Sequence, residues 1–244
     1  MPTLKRTNVL TEVRTHYCPG CGHGIAHRLV AEVIEELGIR EKTIAVAPVG
    51  CAVLMYDYFN CDMTECPHGR PPAMATGIKR TQPDKIVFTY QGDGDLAAIG
   101  TAETIHAANR GENITVIFIN NAIYGMTGGQ MAPTTLTGMR STTSQDGRGE
   151  HGEGPPLKVC ELLSTLDGVC YLERTAVSTP KDVNATKRAI KKAFQNQIDG
   201  RGFSLVEVLS MCPTDWKLST AQSVDFVNNE MKEAFPLGVY KDKG

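Results

Sequence analysis

Apolar positions recur along the chain at two periods. Over residues 25–37, Ile25, Leu29, Val30, Val33, Ile34 and Leu37 keep helical spacing, and Gly38 offers a stop. Thr43-Ile44-Ala45-Val46-Ala47 reads as a short buried strand that gives out at Pro48-Val49-Gly50-Cys51. Residues 56–72 are rich in Pro, Gly, Cys and His and read as a loop. Lys85-Ile86-Val87-Phe88-Thr89-Tyr90 predicts the next strand. A helix over 96–109 follows, with Ile99, Ala102 and Ile105 on one face, and then a strand at Ile114-Thr115-Val116-Ile117-Phe118-Ile119. Both strands are apolar on both faces, so the sheet needs cover on both sides. Residues 125–156 hold Gly, Thr, Pro, Ser and Gln with little periodicity; a loop of that length is functional or mobile. A helix near 157–166, a strand near 169–174, a helix over 180–198 and a strand over 203–209 complete the pattern, which weakens after Trp216. There is no repeat and no linker. The alternation predicts one α/β domain over 1–244, with a mainly parallel sheet of about five or six strands and helices on both faces.

Composition narrows the function classes. The 244 residues carry 25 basic and 27 acidic side chains, a formal charge of −2, with 41% hydrophobic and 21% charged positions, which excludes wholesale disorder. No basic run argues for nucleic acid. No apolar stretch approaches the roughly 18–20 residues of a membrane span. The start, MPTLKRTNVLTEVRTHYC, is polar and has no signal-peptide h-region, which points to the cytoplasm. In a reducing compartment the eight cysteines are poor disulfide candidates and raise metal or redox chemistry instead.

Two strand ends carry polar chemistry. One gives Gly92-Asp93-Gly94-Asp95, the other Asn120-Asn121. In open α/β sheets ligands bind beyond the carboxyl ends of strands. Glycines let backbone approach a phosphate, and the next helix offers free N–H groups. An Asp carboxylate and an Asn carbonyl are hard ligands that suit Mg²⁺, whose shell phosphate and water complete. A diphosphate held through Mg²⁺ is the reading these residues support. Either motif alone would pass for a turn.

Cys18-x-x-Cys21 is a two-ligand clip that fits zinc, an iron–sulfur cluster or a redox dithiol. Zinc sites usually repeat the clip, and Cys61-x₄-Cys66 is a looser match. A thioredoxin-like dithiol lacks its preceding strand. Cys51 and Cys212 each follow a strand and belong on the same sheet edge as Asp93 and Asn121, so Cys18, Cys21, Cys51 and Cys212 make a candidate [4Fe–4S] site. Cys160 and Cys170 fall in apolar stretches and read as core thiols. Cys61 and Cys66 have no assigned role.

Gly92-Asp93-Gly94 followed by Asn120-Asn121 resembles the thiamine diphosphate motif. Together with Cys18-Pro19-Gly20-Cys21-Gly22-His23-Gly24, Pro67-His68-Gly69-Arg70 and Gly125-Met126-Thr127-Gly128-Gly129-Gln130, it resembles the β subunit of 2-oxoacid:ferredoxin oxidoreductases over about residues 14–215. The resemblance implies the thiamine diphosphate-binding fold. It implies Mg²⁺ on Asp93, the Asn121 side chain and the Ile123 carbonyl, with Gly92, Gly94 and Asp95 against the diphosphate. Tyr124, Gly125, Met126 and Thr127 would continue the cofactor loop. It makes His68 and Arg70 neighbours of the diphosphate or the reacting carbonyl, and it matches Cys18, Cys21, Cys51 and Cys212 to cluster ligands.

The implied reaction is oxidative decarboxylation of a 2-oxoacid with coenzyme A, giving acyl-CoA and CO₂, with electrons leaving through the cluster to ferredoxin. One domain can hold the diphosphate but not activate the cofactor's ring. A pyrimidine-domain α subunit is therefore expected, with γ and ferredoxin-like δ subunits, and the isolated chain should be inactive. Ala52-Val53-Leu54-Met55-Tyr56 offers no cation for a second carboxylate, which favours a branched-chain 2-oxoacid, unless Arg70, Lys79 or a partner residue supplies one. The alternatives are 2-oxoglutarate as substrate, a non-redox thiamine diphosphate lyase or decarboxylase half, and a zinc-binding non-catalytic module.

Overall fold

Seven strands form one sheet in the order β2-β1-β3-β4-β6-β5-β7. The computed structural model describes residues 6–149 and 152–244. In chain order these are α1 (His23–Glu36), β1 (Thr43–Ala47), the one-turn α2 (Met55–Tyr58), β2 (Asp62–Glu65), α3 (Pro71–Thr81) and β3 (Ile86–Gly92). A π-helical turn (Gly94–Ile99) leads into α4 (Thr101–Asn109) and β4 (Thr115–Asn120). Then come α5 (Val159–Ser164), β5 (Val169–Ala176), α6 (Pro180–Ile198), β6 (Phe203–Leu209), α7 (Pro213–Trp216), α8 (Thr220–Phe226) and β7 (Gly238–Asp242). All pairings are parallel except β5 with β7. This is the mainly parallel α/β sheet the pattern predicts, with seven strands in place of the expected five or six.

The period-2 alternation explains the two cores. Phe88, Tyr90, Ile117, Ile119, Val206 and Val208 face α1 and α6, where Val30, Ile34, Ile190 and Phe194 meet them. Their neighbours Val87, Val116, Phe118 and Leu205 face the other way, onto Leu96, Ala107 and Leu163. Strands β3, β4 and β6 are central and buried on both sides, so their sequences run almost continuously apolar. Thr179 caps α6 by accepting from the Asp182 N–H, and Pro180 sits in the first turn.

Several elements, α3 (Pro71–Thr81) among them, were not legible in the pattern. Residues 56–72, read as a loop, contain α2 and the edge strand β2, and the first turn of α3 begins at Pro71. β2 is Asp-Met-Thr-Glu and half exposed, so it has no hydrophobic signature. The weakly patterned tail forms α8 and the antiparallel edge strand β7, also partly exposed. The helix expected over 96–109 is interrupted: Asp95 accepts from the Gly100 N–H at 2.9 Å, a five-residue closure that widens the first turn.

One polar network lies inside the sheet. Arg174 on β5 and Glu207 on β6 are both fully buried, with Nε 2.8 Å from Oε2. Glu207 Oε1 accepts from Asn120 Nδ2 at 2.8 Å, and Asn120 Oδ1 accepts from the Ala122 N–H at 3.1 Å. Ala122 has φ +58°, a left-handed conformation that a non-glycine residue adopts at a cost. The ion pair therefore reaches through Asn120 to the turn after β4. Removing one partner of a buried pair strands the other charge. Glu207→Ala leaves Arg174 with Glu161 as its one carboxylate partner and strands its Nε. It is expected to lower the unfolding free energy by about 3 kcal/mol, measured by urea denaturation.

Candidate functional site

The strand order reverses beside β1, because β2 lies on one side of it and β3 on the other. That switch point leaves a crevice between the carboxyl ends of neighbouring strands. The cleft there is lined by His23, by Val49, Gly50 and Cys51 after β1, by His68, by Gly92–Asp95 after β3, and by Asn121 and 123–127 after β4.

Asp93 sits at the floor, 3% exposed. Its Oδ1 accepts from the Gly94 N–H at 2.9 Å. Its Oδ2 accepts from the Ile123 N–H at 3.1 Å and from Thr134 Oγ1 at 2.7 Å. Burial nevertheless pushes its pKa up to about 6, against the pull of those donors. A carboxylate offers about four lone-pair positions. Three are used, and the fourth, on Oδ1, is left for a cation. Asn121 is buried beside it, and its Oδ1 accepts from the Ile123 N–H at 3.3 Å. The donor set is hard oxygen, which fits Mg²⁺.

Asp95 lines the same cleft, but its carboxylate is occupied by protein. Oδ1 accepts from the Gly69 N–H at 2.9 Å and the Val49 N–H at 3.3 Å, and Oδ2 accepts from Gln91 Nε2 at 2.7 Å. His68 Nδ1 lies 2.7 Å from Asp95 Oδ1, at ion-pair distance but out of line for a hydrogen bond. Asp95 thus ties the loop after β1 and the His68 loop to β3. It organises the walls of the cleft it lines. Arg70 is not brought into the cleft. Its guanidinium pairs with Glu103 on α4.

Cys51 lines this cleft, and Cys212 lies behind Gly125 next to it. A Cβ on Gly125 would lie 3.0 Å from Cys51 Sγ and 3.7 Å from Cys212 Sγ, so glycine lets the cofactor loop pass directly against them. The 18–21 clip is docked onto the end of β6: the Gly22 N–H donates to the Met211 carbonyl at 3.1 Å, and any side chain at Gly22 would strike Ser210. All eight cysteines are free. Burial, followed by the neighbouring Cys18 and Asp215, raises Cys21 to about 11. Burial, Cys21, Asp215 and Cys18 raise Cys51 to about 12, and burial pushes Cys212 further still. The three are therefore neutral thiols as they stand, and deprotonating them together would need a compensating cation, which suits iron. Among the described residues no three His, Cys, Asp or Glu side chains close on one ion, so the thiols are spaced more widely than a single ion's shell. Cys160 and Cys170 are buried in the core, and Cys61 and Cys66 flank β2 away from the cleft.

Several contributors carried no sequence signal. His23, a helix-opening residue in the sequence, caps nothing. It is buried in the cleft wall with Nδ1 3.0 Å from Tyr90 Oη, and burial, then His16, lowers its pKa to about 3, so it is neutral. Thr134 and Gln91 reach the two aspartates. Trp216, the single tryptophan, donates Nε1 to the Asn121 carbonyl at 3.0 Å and so links α7, next to Cys212, to the turn after β4.

Comparison with known proteins agrees with this geometry. Residues 48–208 match the family described as thiamine pyrophosphate enzyme, C-terminal TPP binding domain. The chain is 50% identical over 229 residues to the ketoisovalerate oxidoreductase subunit VorA of Methanothermobacter thermautotrophicus, covering 94% of this chain and 48% of that protein. It spans about half the length of that relative. It is 43% identical over 199 residues to the 2-oxoglutarate synthase subunit KorB of Methanocaldococcus jannaschii, covering 81% of this chain and 69% of the relative. A solved 2-oxoglutarate:ferredoxin oxidoreductase from Magnetococcus marinus, with 2-oxoglutarate, coenzyme A and succinyl-CoA bound, superimposes with a TM-score of 0.78 at 26% identity, over 100% of this chain and 87% of that one. A buried Asp93–Asn121 floor at the switch point, in a chain with these relatives, places the protein in the thiamine pyrophosphate enzyme family, through its C-terminal TPP-binding domain, in the branch of 2-oxoacid oxidoreductase subunits.

Proposed function

We propose that this chain is the thiamine diphosphate-binding subunit of a 2-oxoacid:ferredoxin oxidoreductase, which converts a 2-oxoacid and coenzyme A to acyl-CoA and CO₂. The observation that carries the reading is the shared cleft: Asp93 and Cys51 line it together, and the loop that follows Asn121 passes at Gly125 so near Cys51 and Cys212 that a Cβ there would lie 3.0 and 3.7 Å from their Sγ atoms.

When bound, thiamine diphosphate supplies the carbanion chemistry of decarboxylation and a [4Fe–4S] cluster supplies a one-electron acceptor beside it. Asp93, the Asn121 side chain and the Ile123 carbonyl would hold Mg²⁺. Gly92 and Gly94 would admit the diphosphate, and Tyr124, Met126 and Thr127 would border it. Cys18, Cys21, Cys51 and Cys212 would hold the cluster. His68, held at Asp95 and lining the cleft, is the residue placed to meet the reacting carbonyl. Arg70 takes no part, being paired with Glu103. The ring-activating group belongs to a partner subunit, and ferredoxin, directly or through a ferredoxin-like subunit, is the electron acceptor. No helix among the described residues is long and apolar enough to cross a membrane.

A branched-chain 2-oxoacid is the favoured substrate. Both cations of this chain that could have met a distal carboxylate are engaged elsewhere: Arg70 with Glu103, and Lys79 Nζ with the Pro83 and Lys85 carbonyls at 2.7 and 2.6 Å. The KorB relatives keep 2-oxoglutarate as the second reading. In the assembled complex kcat/KM for 2-oxoisovalerate should exceed that for 2-oxoglutarate by about tenfold or more, because an unpaired buried carboxylate is costly. The reverse ratio would select 2-oxoglutarate.

Anaerobic purification followed by iron, sulfide, zinc and thiamine diphosphate analysis is expected to give about four Fe and one cofactor per chain. Zinc without cofactor would select the binding module, and activity without iron the non-redox half. Asp93→Ala should abolish Mg²⁺-dependent cofactor binding and leave the cluster's visible absorption intact. Because Asp93 must be ionised to hold the cation and titrates at about 6, Mg²⁺-dependent binding should be full above that pH and fall away below it, as read by equilibrium dialysis.

A further inference from the structure

The long segment after the cofactor loop is neither patternless nor loosely held. Arg148 is 5% exposed and spends its guanidinium on main-chain carbonyls. Nη1 donates to Ala132 at 3.2 Å, to Pro133 at 2.8 Å and to Thr135 at 2.8 Å. Nε donates to Gly154 at 2.8 Å, and Nη2 to Glu153 at 3.3 Å and Pro155 at 3.0 Å. Among the described residues it meets no carboxylate within ion-pair distance. An arginine fork is rigid and planar, so carbonyls gathered on it are fixed relative to one another. Three of these carbonyls bracket Thr134.

Thr134 and Thr135 are both fully buried. Thr135 Oγ1 donates to the Ala122 carbonyl at 2.6 Å and accepts from the Ala132 N–H at 2.9 Å, which pins the segment to the left-handed turn after β4. Thr134 Oγ1 donates to Asp93 Oδ2 at 2.7 Å and is the only side-chain donor to that carboxylate among the described residues. Backbone N–H groups come from segments that the sheet itself holds. The hydroxyl comes from a loop 41 residues away whose position depends on Arg148.

We propose that Thr134 is a positioning residue for Asp93, held in register by Arg148, so that the loop segment over 131–149 sets the cation affinity of the cofactor site. The proposal rests on the reading of Asp93 as the Mg²⁺ ligand and adds a control on it. With Oδ2 saturated by Thr134 and Ile123, the carboxylate cannot rotate, and Oδ1 stays aimed at the cleft. Without the hydroxyl, Oδ2 has a free lone pair and the carboxyl plane is held from one side only. Groups that orient a metal ligand without touching the metal change its affinity about 10- to 100-fold.

The test is the Mg²⁺ concentration for half-maximal thiamine diphosphate binding, by equilibrium dialysis, in the full chain co-purified with its partner subunits. Thr134→Val should raise it by about tenfold or more, and Thr134→Ser, which keeps the hydroxyl, should restore the wild-type value. Arg148→Lys, which keeps charge but not the fork, should shift it in the same direction. The double variant T134V/R148K should add little, because both act through one contact. A wild-type Mg²⁺ requirement in Thr134→Val with only a lower unfolding temperature would assign the hydroxyl to stability alone and overturn the proposal. If Thr134→Val does not fold, Thr134→Ala and Arg148→Lys decide by the same readout. Wild-type protein that binds the cofactor without any Mg²⁺ dependence would overturn the reading of Asp93 as well.

Discussion

A carboxylate buried at the end of a central strand is the constraint around which this molecule is arranged. Asp93 follows β3, which is covered on both faces, so its side chain is almost wholly buried and meets solvent only through the cleft. Burial without compensation would neutralise it, and three donors from three segments oppose that only in part. The donors are the first N–H of the π-helical turn, the turn after β4 and the long loop. The carboxylate is thus both the reason these segments converge and a charge still in want of a cation.

The layers beneath serve the same point. The turn after β4 holds a left-handed alanine, and the sheet stabilises it through Asn120, Glu207 and Arg174, a polar line running across three strands in an otherwise apolar interior. Of the adjacent asparagines, Asn120 is structural and only Asn121 faces the cleft. From above, Trp216 grips the Asn121 carbonyl while its short helix begins next to Cys212. Cofactor floor and thiol cluster are therefore joined by covalent neighbours and short hydrogen bonds.

Some of this was legible in the residues. β3, β4 and β6 are long apolar runs because they are buried on both faces, and α6 carries an N-cap threonine and a first-turn proline. Gly92-Asp93-Gly94 and Asn120-Asn121 are identifiable because ligand chemistry at strand ends uses few residue types. β2 and β7 escaped notice because edge strands exposed to solvent have no need of apolar alternation. The π-helical turn escaped notice because its closure is a backbone choice that Leu, Ala and Ile do not encode.

The sequence by itself determined the sheet's class, the polar Asp93 and Asn121 at two strand ends, the set of thiols, and their order along the chain. These follow from local composition and periodicity, which act over a few residues. Only the tertiary structure decided which carboxylate is open to a cation and which is consumed by backbone donors, that Arg70 turns to Glu103, and that Thr134 and Trp216 complete the site. Those outcomes depend on hydrogen bonds between residues 33, 41 and 95 positions apart. Such pairings form only when the crossovers bring distant segments to one edge of the sheet, and no local pattern in the chain records them.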